Sequence, residues 1–250
     1  MAESLRDFRY NLAESLRDFR YHREPIMTQL TDKDSQKSLV RKLRKAERHL
    51  IGCDARLAAW IAECGRCELE VVWERSLYEA LVRAIAHQQL HGRAAASILG
   101  RLVDAYARSD RPFPTPRQLA RAAPDKLRSF GFSSAKVTAI QGIAAATGRG
   151  EVPTRELAAE LSDQELIERL LPLRGVGRWT VEMLLIFTLG RLDVMPVDDF
   201  GIRSGLQHLA GLAEHPRKSD FSKLTDHWAP YRSVAAWYLW RLADSRKAAG

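Results

Sequence analysis

Apolar residues recur along this chain at helical spacing, in segments set apart by Gly, Pro and Ser/Thr clusters. From Ser35 to Gly65 the pattern is helical. Lys37, Arg41, Lys42, Arg44, Lys45 and Arg48 make a basic first half, and Leu57, Ala58 and Ile61 follow. From Ser76 to about Ala96, Leu77, Ala80, Leu81, Ala84 and Ile85 sit at i, i+3, i+4, i+7 and i+8, one face of an amphipathic helix. That segment runs into His87-Gln88-Gln89-Leu90-His91-Gly92. Pro112–Pro116 reads as a loop ending in an N-cap Thr115 with Pro116 at the first helical position. Leu127–Gly131 ends a short helix at Gly131, and Ser133 or Ser134 caps the next. Gly148–Pro153 is a further loop, and Trp228–Ser233 opens a last helix carrying Trp237, Tyr238 and Trp240. Only Glu70-Val71-Val72 hints at a strand. The pattern predicts an all-α protein.

One stretch, Ser162 to Ile202, organises the rest. Ser162 and Glu165 fit a capping box, Leu166, Ile167, Leu170 and Leu171 follow at helical spacing, and Pro172 stops the helix. Gly175-Val176-Gly177 forms a hairpin too tight for side chains at its glycines. A second helix then runs from about Arg178, with Val181, Leu184, Leu185 and Thr188 on one face and Gly190 at its end. Helix, hairpin, helix exposes backbone N–H groups at a helix N-terminus, where a phosphate sits favourably. Beyond Pro196, the pair Asp198-Asp199 leads into Ile202, Leu206 and Leu209, the start of another helix.

These residues resemble the helix-hairpin-helix superfamily of DNA glycosylases, whose signature is a Leu-Pro-Gly-Val-Gly hairpin followed by a loop and one Asp. Gly177-Arg178-Trp179-Thr180 and the Asp pair resemble the DNA-3-methyladenine glycosylase II branch. The resemblance covers residues 35–245 and is sharpest over 171–203. It implies two helical lobes with a cleft between them. Residues 35–250 would form the helical domain, with 162–190 its central helix-hairpin-helix, and residues 1–34 an extension.

The composition fits that picture. At 250 residues and 46% hydrophobic the chain buries a sizeable core, and its net charge of +8 suits a polyanion. No apolar run approaches the roughly eighteen residues of a membrane span. Three cysteines speak for a reducing compartment, hence an intracellular protein of the cytoplasm or nucleoid. Cys64-Gly65-Arg66-Cys67 is a C-x-x-C pair, but zinc needs four ligands and only Cys53 and scattered histidines stand to complete the set, so a metal site is not the expectation. Ala2–Tyr10 and Ala13–Tyr21 are the same nine residues, AESLRDFRY, and five arginines balance five acids before Met27. Two polar copies do not make a repeat fold, so the segment reads as an appendage.

Chemistry follows from the resemblance. Breaking a purine N-glycosidic bond builds positive charge on the sugar, and an alkylated purine already carries one, so the departing base needs little protonation. One carboxylate beside the sugar then suffices, and Asp199, three residues before Ile202 as in the family, is the expected catalytic residue. The alternative for either Asp is a plain N-cap, the reading favoured for Asp198. A flipped base is held on aromatic faces: Trp179, Trp240 and Tyr231 match the family's pocket positions, while a pocket Tyr is replaced by Met183. Gln88, Gln89, Leu90 and His91 lie where the family carries its wedge, with the wedge among them left open. Gly175, Gly177, Arg178 and Thr180 are expected to meet the DNA backbone, joined by Arg174, which stands where the family has Pro. Carbonyls of Leu171, Leu173 and Val176 match those that hold a monovalent cation such as sodium or potassium. Superfamily members that also cut the strand carry Lys at the position of Trp179, and the four-cysteine iron–sulfur cluster is missing. The expectation is a monomeric, monofunctional enzyme needing no cofactor, acting on double-stranded DNA with damaged bases. The alternatives are a glycosylase for oxidised or mismatched bases, or a non-catalytic DNA-binding module.

Overall fold

The computed structural model describes residues 31–248 apart from 91, 107, 109 and 110. The duplicated nonapeptide, Met27 and His91 lie outside the described residues. In chain order the helices are α1 (Thr31–Cys53), α2 (Ala55–Cys64), α3 (Leu77–His87), α4 (Gly92–Tyr106), α5 (Pro116–Arg121), α6 (Pro124–Ser129), α7 (Ser134–Gly148), α8 (Arg155–Glu160), α9 (Asp163–Leu170), α10 (Arg178–Phe187), α11 (Phe200–Ala210), α12 (Lys218–Thr225) and α13 (Arg232–Ala248). A 3₁₀ turn, Asp226–Trp228, precedes α13. Among the described residues there is no strand, only one isolated bridge between Arg108 and Arg111. None of the described helices is long and apolar enough to cross a membrane. The all-α expectation holds. The suspected strand at Glu70–Val72 is extended chain whose Val72 N–H donates to Phe187 O at 3.0 Å.

The chain forms two compact units, one of residues 75–184 and the other of residues 31–74 with 185–248. In the first, α3 and α5 pack on α7. The caps expected at Thr115 and at Ser133 are present, Thr115 in a capping box with Gln118 and Ser133 accepting from Lys136 N–H; Ser76 also caps its helix, accepting from Glu79 N–H. The segment expected as one helix from Ser76 to Ala96 is broken at Gln88. Gln89 there has φ 58, the one non-glycine residue with positive φ among those described. Such a conformation is costly for a residue with a Cβ and ends the helix.

In the second unit the pattern over Ser35–Gly65 is also two helices. Asp54 divides them. Its Oδ1 accepts from the N–H groups of Arg56 (2.9 Å) and Leu57 (3.2 Å), so the side chain starts α2. Its Oδ2 meets His227 Nε2 at 3.0 Å and Trp228 Nε1 at 3.1 Å, fastening the α1–α2 corner to the turn before α13. Burial pushes this carboxyl up, but the bonds from His227, Leu57 N–H and Trp228 hold it below the usual range. Helix α1 runs from Thr31, so its first four residues fall within the extension drawn over residues 1–34.

Helices α11 and α13 come into backbone contact at Gly205. A Cβ there would lie 2.1 Å from Leu239 O, so only glycine lets the two backbones touch. This crossing decides where Asp199 sits.

Candidate active site

The hairpin is built by the first unit alone. Helix α9 opens on its capping box, Ser162 with Glu165, and closes through Leu171 N–H to Ile167 O at 2.9 Å. The turn is then held by Leu173 N–H to Leu170 O (3.1 Å) and Val176 N–H to Leu173 O (3.0 Å). Gly175, at φ 82, lies against α3 and α7, where an added Cβ would be 3.0 Å from Ile85 Cδ1 and 3.2 Å from Ala139 Cβ. Gly177 differs. A Cβ there would meet nothing within 4 Å, which corrects the expectation that both glycines are forced by a tight turn. Its missing side chain leaves open surface before α10. Gly175 and Gly177 are exposed, and their N–H groups meet no acceptor among the described residues. Backbone donors at the head of a helix, with no side chain over them, form an anion site.

The turn after α3 is fixed to this hairpin. Gln88 Nε2 donates to Gly175 O at 2.9 Å, and Lys136 Nζ donates to Ala86 O, the end of α3, at 2.7 Å. Burial pulls the Lys136 ammonium down to about 8. Gln88 is half-buried and committed to the hairpin, Leu90 is half-buried, and Gln89 is exposed in its left-handed conformation.

The carboxylate is built by the second unit. Asp199 is 5% exposed, and its Oδ1 accepts from Ile202 N–H at 2.9 Å, making it the N-cap of α11. The same oxygen accepts from Trp240 Nε1 at 2.8 Å. Trp240 is 2% exposed and tilts against Phe187, with ring centroids 5.7 Å apart. Gly201 makes the approach possible, because a Cβ there would lie 2.8 Å from Trp240 Cδ1. Asp198, expected as the cap, is exposed and pairs with Lys218 at 2.5 Å. Asp199 is thus the buried acid and the cap at once, and the cap expected of Asp198 falls to it. The reason is register, since the cap oxygen must reach the N–H three residues on, which for α11 is Ile202.

A hairpin with bare donors and a buried, doubly held aspartate agree with the comparisons. The family model described as HhH-GPD superfamily base excision DNA repair protein matches residues 82–230. The chain belongs to that superfamily. It is 42% identical over 220 residues, 86% of this chain and 96% of the relative, to DNA-3-methyladenine glycosylase 1 of Schizosaccharomyces pombe. It is 37% identical to the alkylbase DNA glycosidase-like protein mag2 of the same yeast, covering 80% of this chain and 93% of that one. The solved 3-methyladenine DNA glycosylase Mag1 of S. pombe, in complex with abasic DNA, superposes with a TM-score of 0.69. It is 43% identical and covers 79% of this chain and 95% of that one.

The remaining residues expected from the superfamily motif fall into three groups. Trp179 and Tyr231 are half-buried, and Tyr231 packs edge-on to His49 with centroids 5.2 Å apart. Arg174 is exposed, while Arg178 pairs with buried Glu182 at 3.0 Å and keeps about half its surface in solvent (51%). Thr180 and Met183 are buried, at 4% and 3%. Thr180 therefore offers no hydroxyl at the surface, which corrects its assignment as a phosphate donor: it lies on the inward side of α10, in a run buried from Thr180 to Thr188. Trp240, expected as an open aromatic face, is enclosed, with its N–H spent on Asp199.

Lys136, Gly201 and Gly205 were not picked out from the sequence. A lysine in the first turn of a helix, where the dipole disfavours a cation, was the available signal for Lys136. Two glycines four apart in one helix were the signal for a close crossing.

Proposed function

We propose that this protein is a monofunctional DNA glycosylase of base excision repair that flips alkylated purines such as 3-methyladenine out of duplex DNA and excises them, leaving an abasic site. The observation that carries the reading is Asp199: a buried carboxylate oriented by two donors, one from its own helix and one from Trp240. The C1′–N bond breaks with its electron pair leaving on the base, which neutralises the alkylated purine's own charge. The sugar becomes cationic, and Asp199 stabilises it. Water then adds at C1′, releases a proton, and leaves the abasic hydroxyl. Two donors spend one oxygen of the carboxylate on orientation, so the side chain need not reorganise as charge develops.

In this reading Trp179 offers the face on which the cationic base stacks. The wedge is Gln89, because it alone of Gln88–Leu90 is exposed and strained, and strain of this kind gathers at functional turns. The N–H groups of Gly175 and Gly177, with Arg174, take the phosphates. The carbonyls of Leu171, Leu173 and Val176 are the ones that would hold a sodium or potassium ion. Leu173 O already accepts one N–H and has a second lone pair for it, and the ion would add positive charge beside a phosphate. The protein acts as a monomer inside the cell, on DNA with damaged bases.

A second reading, a DNA-binding module without catalysis, has one observation in its favour, since Asp199 caps α11. Capping, however, requires only the Ile202 N–H. The second donor arrives from 41 residues away and serves no cap. Incubation of methylated duplex with purified protein separates the two. Release of free 3-methyladenine, with the strand intact until alkali treatment, is the expected result. Binding without release would contradict the first reading.

A further inference from the structure

Helix α1 carries a feature that the active-site reading does not use. Between residues 35 and 53 the chain has six cations, Lys37, Arg41, Lys42, Arg44, Lys45 and Arg48, against the single carboxylate of Glu47. All six cations are exposed, whereas Leu39, Leu43, Ala46 and Leu50 are buried. At 3.6 residues per turn, Lys37, Arg41, Arg44 and Arg48 fall within an arc of about 60°, opposite the buried residues. They form a straight stripe roughly 16 Å long.

Glu47 does not neutralise the stripe. Its Oε1 points inward, accepting from Cys67 N–H at 2.6 Å and from the Tyr238 hydroxyl at 3.1 Å. Arg41, Lys42, Arg44, Lys45 and Arg48 form no ion pair among the described residues. Cations at i and i+4 (Lys37/Arg41, Arg41/Lys45, Arg44/Arg48) repel one another and weaken the helix. From Arg41 to Arg48 the helix thus bears five exposed cations that no described carboxylate pairs and that its own packing does not require.

We infer that this stripe is a second DNA-backbone contact, separate from the hairpin, in which Arg41, Arg44 and Arg48 grip consecutive phosphates of duplex DNA. One strand presents a charge about every 3.4 Å along the axis, so a row of about 16 Å spans several phosphates. An anionic membrane is the competing partner. It would need a broad exposed apolar face beside the charge. Here the apolar face is buried within the unit, and only Val40 and Ile51 of α1 are large exposed hydrophobics. The contact carries no sequence information and adds affinity for any duplex.

The test is salt-dependent binding of the full chain to undamaged duplex, measured by fluorescence anisotropy. It compares the wild type with the triple variant Arg41→Gln, Arg44→Gln, Arg48→Gln. Each lost phosphate contact lowers the slope of log K against log salt by about 0.9, so the variant's slope should be shallower by about 2 to 3. Single-turnover base release at saturating enzyme should be unchanged. The triple Arg→Lys variant should restore the slope, since a phosphate accepts either charge, and this controls for damage to α1. An unchanged slope in the Gln variant overturns the inference, as does failure of the Lys variant to restore it. Wild-type binding to phosphatidylserine vesicles that is lost in the Gln variant, with the DNA slope unaltered, assigns the stripe to lipid instead. Because the readout is binding to undamaged DNA, it stands or falls independently of excision.

Discussion

The indole N–H of Trp240 donates to Asp199 Oδ1 at 2.8 Å, on the same oxygen that takes the Ile202 N–H at 2.9 Å. The two donors come from different helices, α13 and α11, which touch backbone to backbone at Gly205. The carboxylate is thus held by donors from both of two crossing helices.

Trp240→Phe keeps an aromatic ring, though a smaller one, and removes the donor. Base release should slow by about tenfold or more, as expected when a stabilising charge loses its support. Affinity for abasic DNA should persist. Gly201→Ala should act in the same direction, since its Cβ would come 2.8 Å from Trp240 Cδ1 and push the indole away. Single-turnover rates beside abasic-site binding provide the check. Equal losses in both would mean damage to the fold.

The two hairpin glycines should separate in experiment. Gly175→Ala places a Cβ at φ 82 against Ile85 and Ala139, and should cost about 1 kcal/mol or more of stability. Gly177→Ala meets open space and should leave the melting temperature unchanged. It should still weaken binding to DNA of every sequence alike, because phosphate contacts carry no sequence information. Thermal melts and anisotropy titrations on two unrelated duplexes decide the matter.

Lys136 should make stability depend on pH above neutrality. Its folded pKa of about 8 lies below the ordinary 10.5. Between these values the unfolded chain binds the proton and the folded one does not, so stability rises with pH across that window. Below pH 8 both states are charged and the burial penalty is fully present. The melting temperature of the wild type, relative to Lys136→Met, should therefore climb from pH 7 to pH 10. A constant difference would show that the ammonium is not desolvated.

Much of this could be read from the chain. The capping boxes, Thr115-Pro116 and the Ser162–Gly190 segment are local signals, fixed by side-chain reach within one helical turn. Residue types that depend on distant neighbours could not be read in the same way. Nothing local shows that Trp240 turns its N–H to a carboxylate 41 positions away, or that Glu47 faces Tyr238. Thr180 failed for the same reason, because its place on the inward side of α10 depends on what packs there. The break at Asp54 was visible in principle, but the hydrophobic pattern continued across it and masked the cap.

The most direct measurement compares Asp199→Asn with Asp198→Asn in single-turnover excision from a methylated duplex at saturating enzyme, so that weak binding is not read as slow chemistry. Asn at 199 still caps α11 and still accepts from Trp240, but it removes the charge. Release should fall by at least ~100-fold while abasic DNA stays bound. Asp198→Asn loses only an exposed pair with Lys218, worth about 1 kcal/mol at most, and should excise like the wild type. Full activity in Asp199→Asn, or the loss falling on Asp198→Asn instead, would contradict the account.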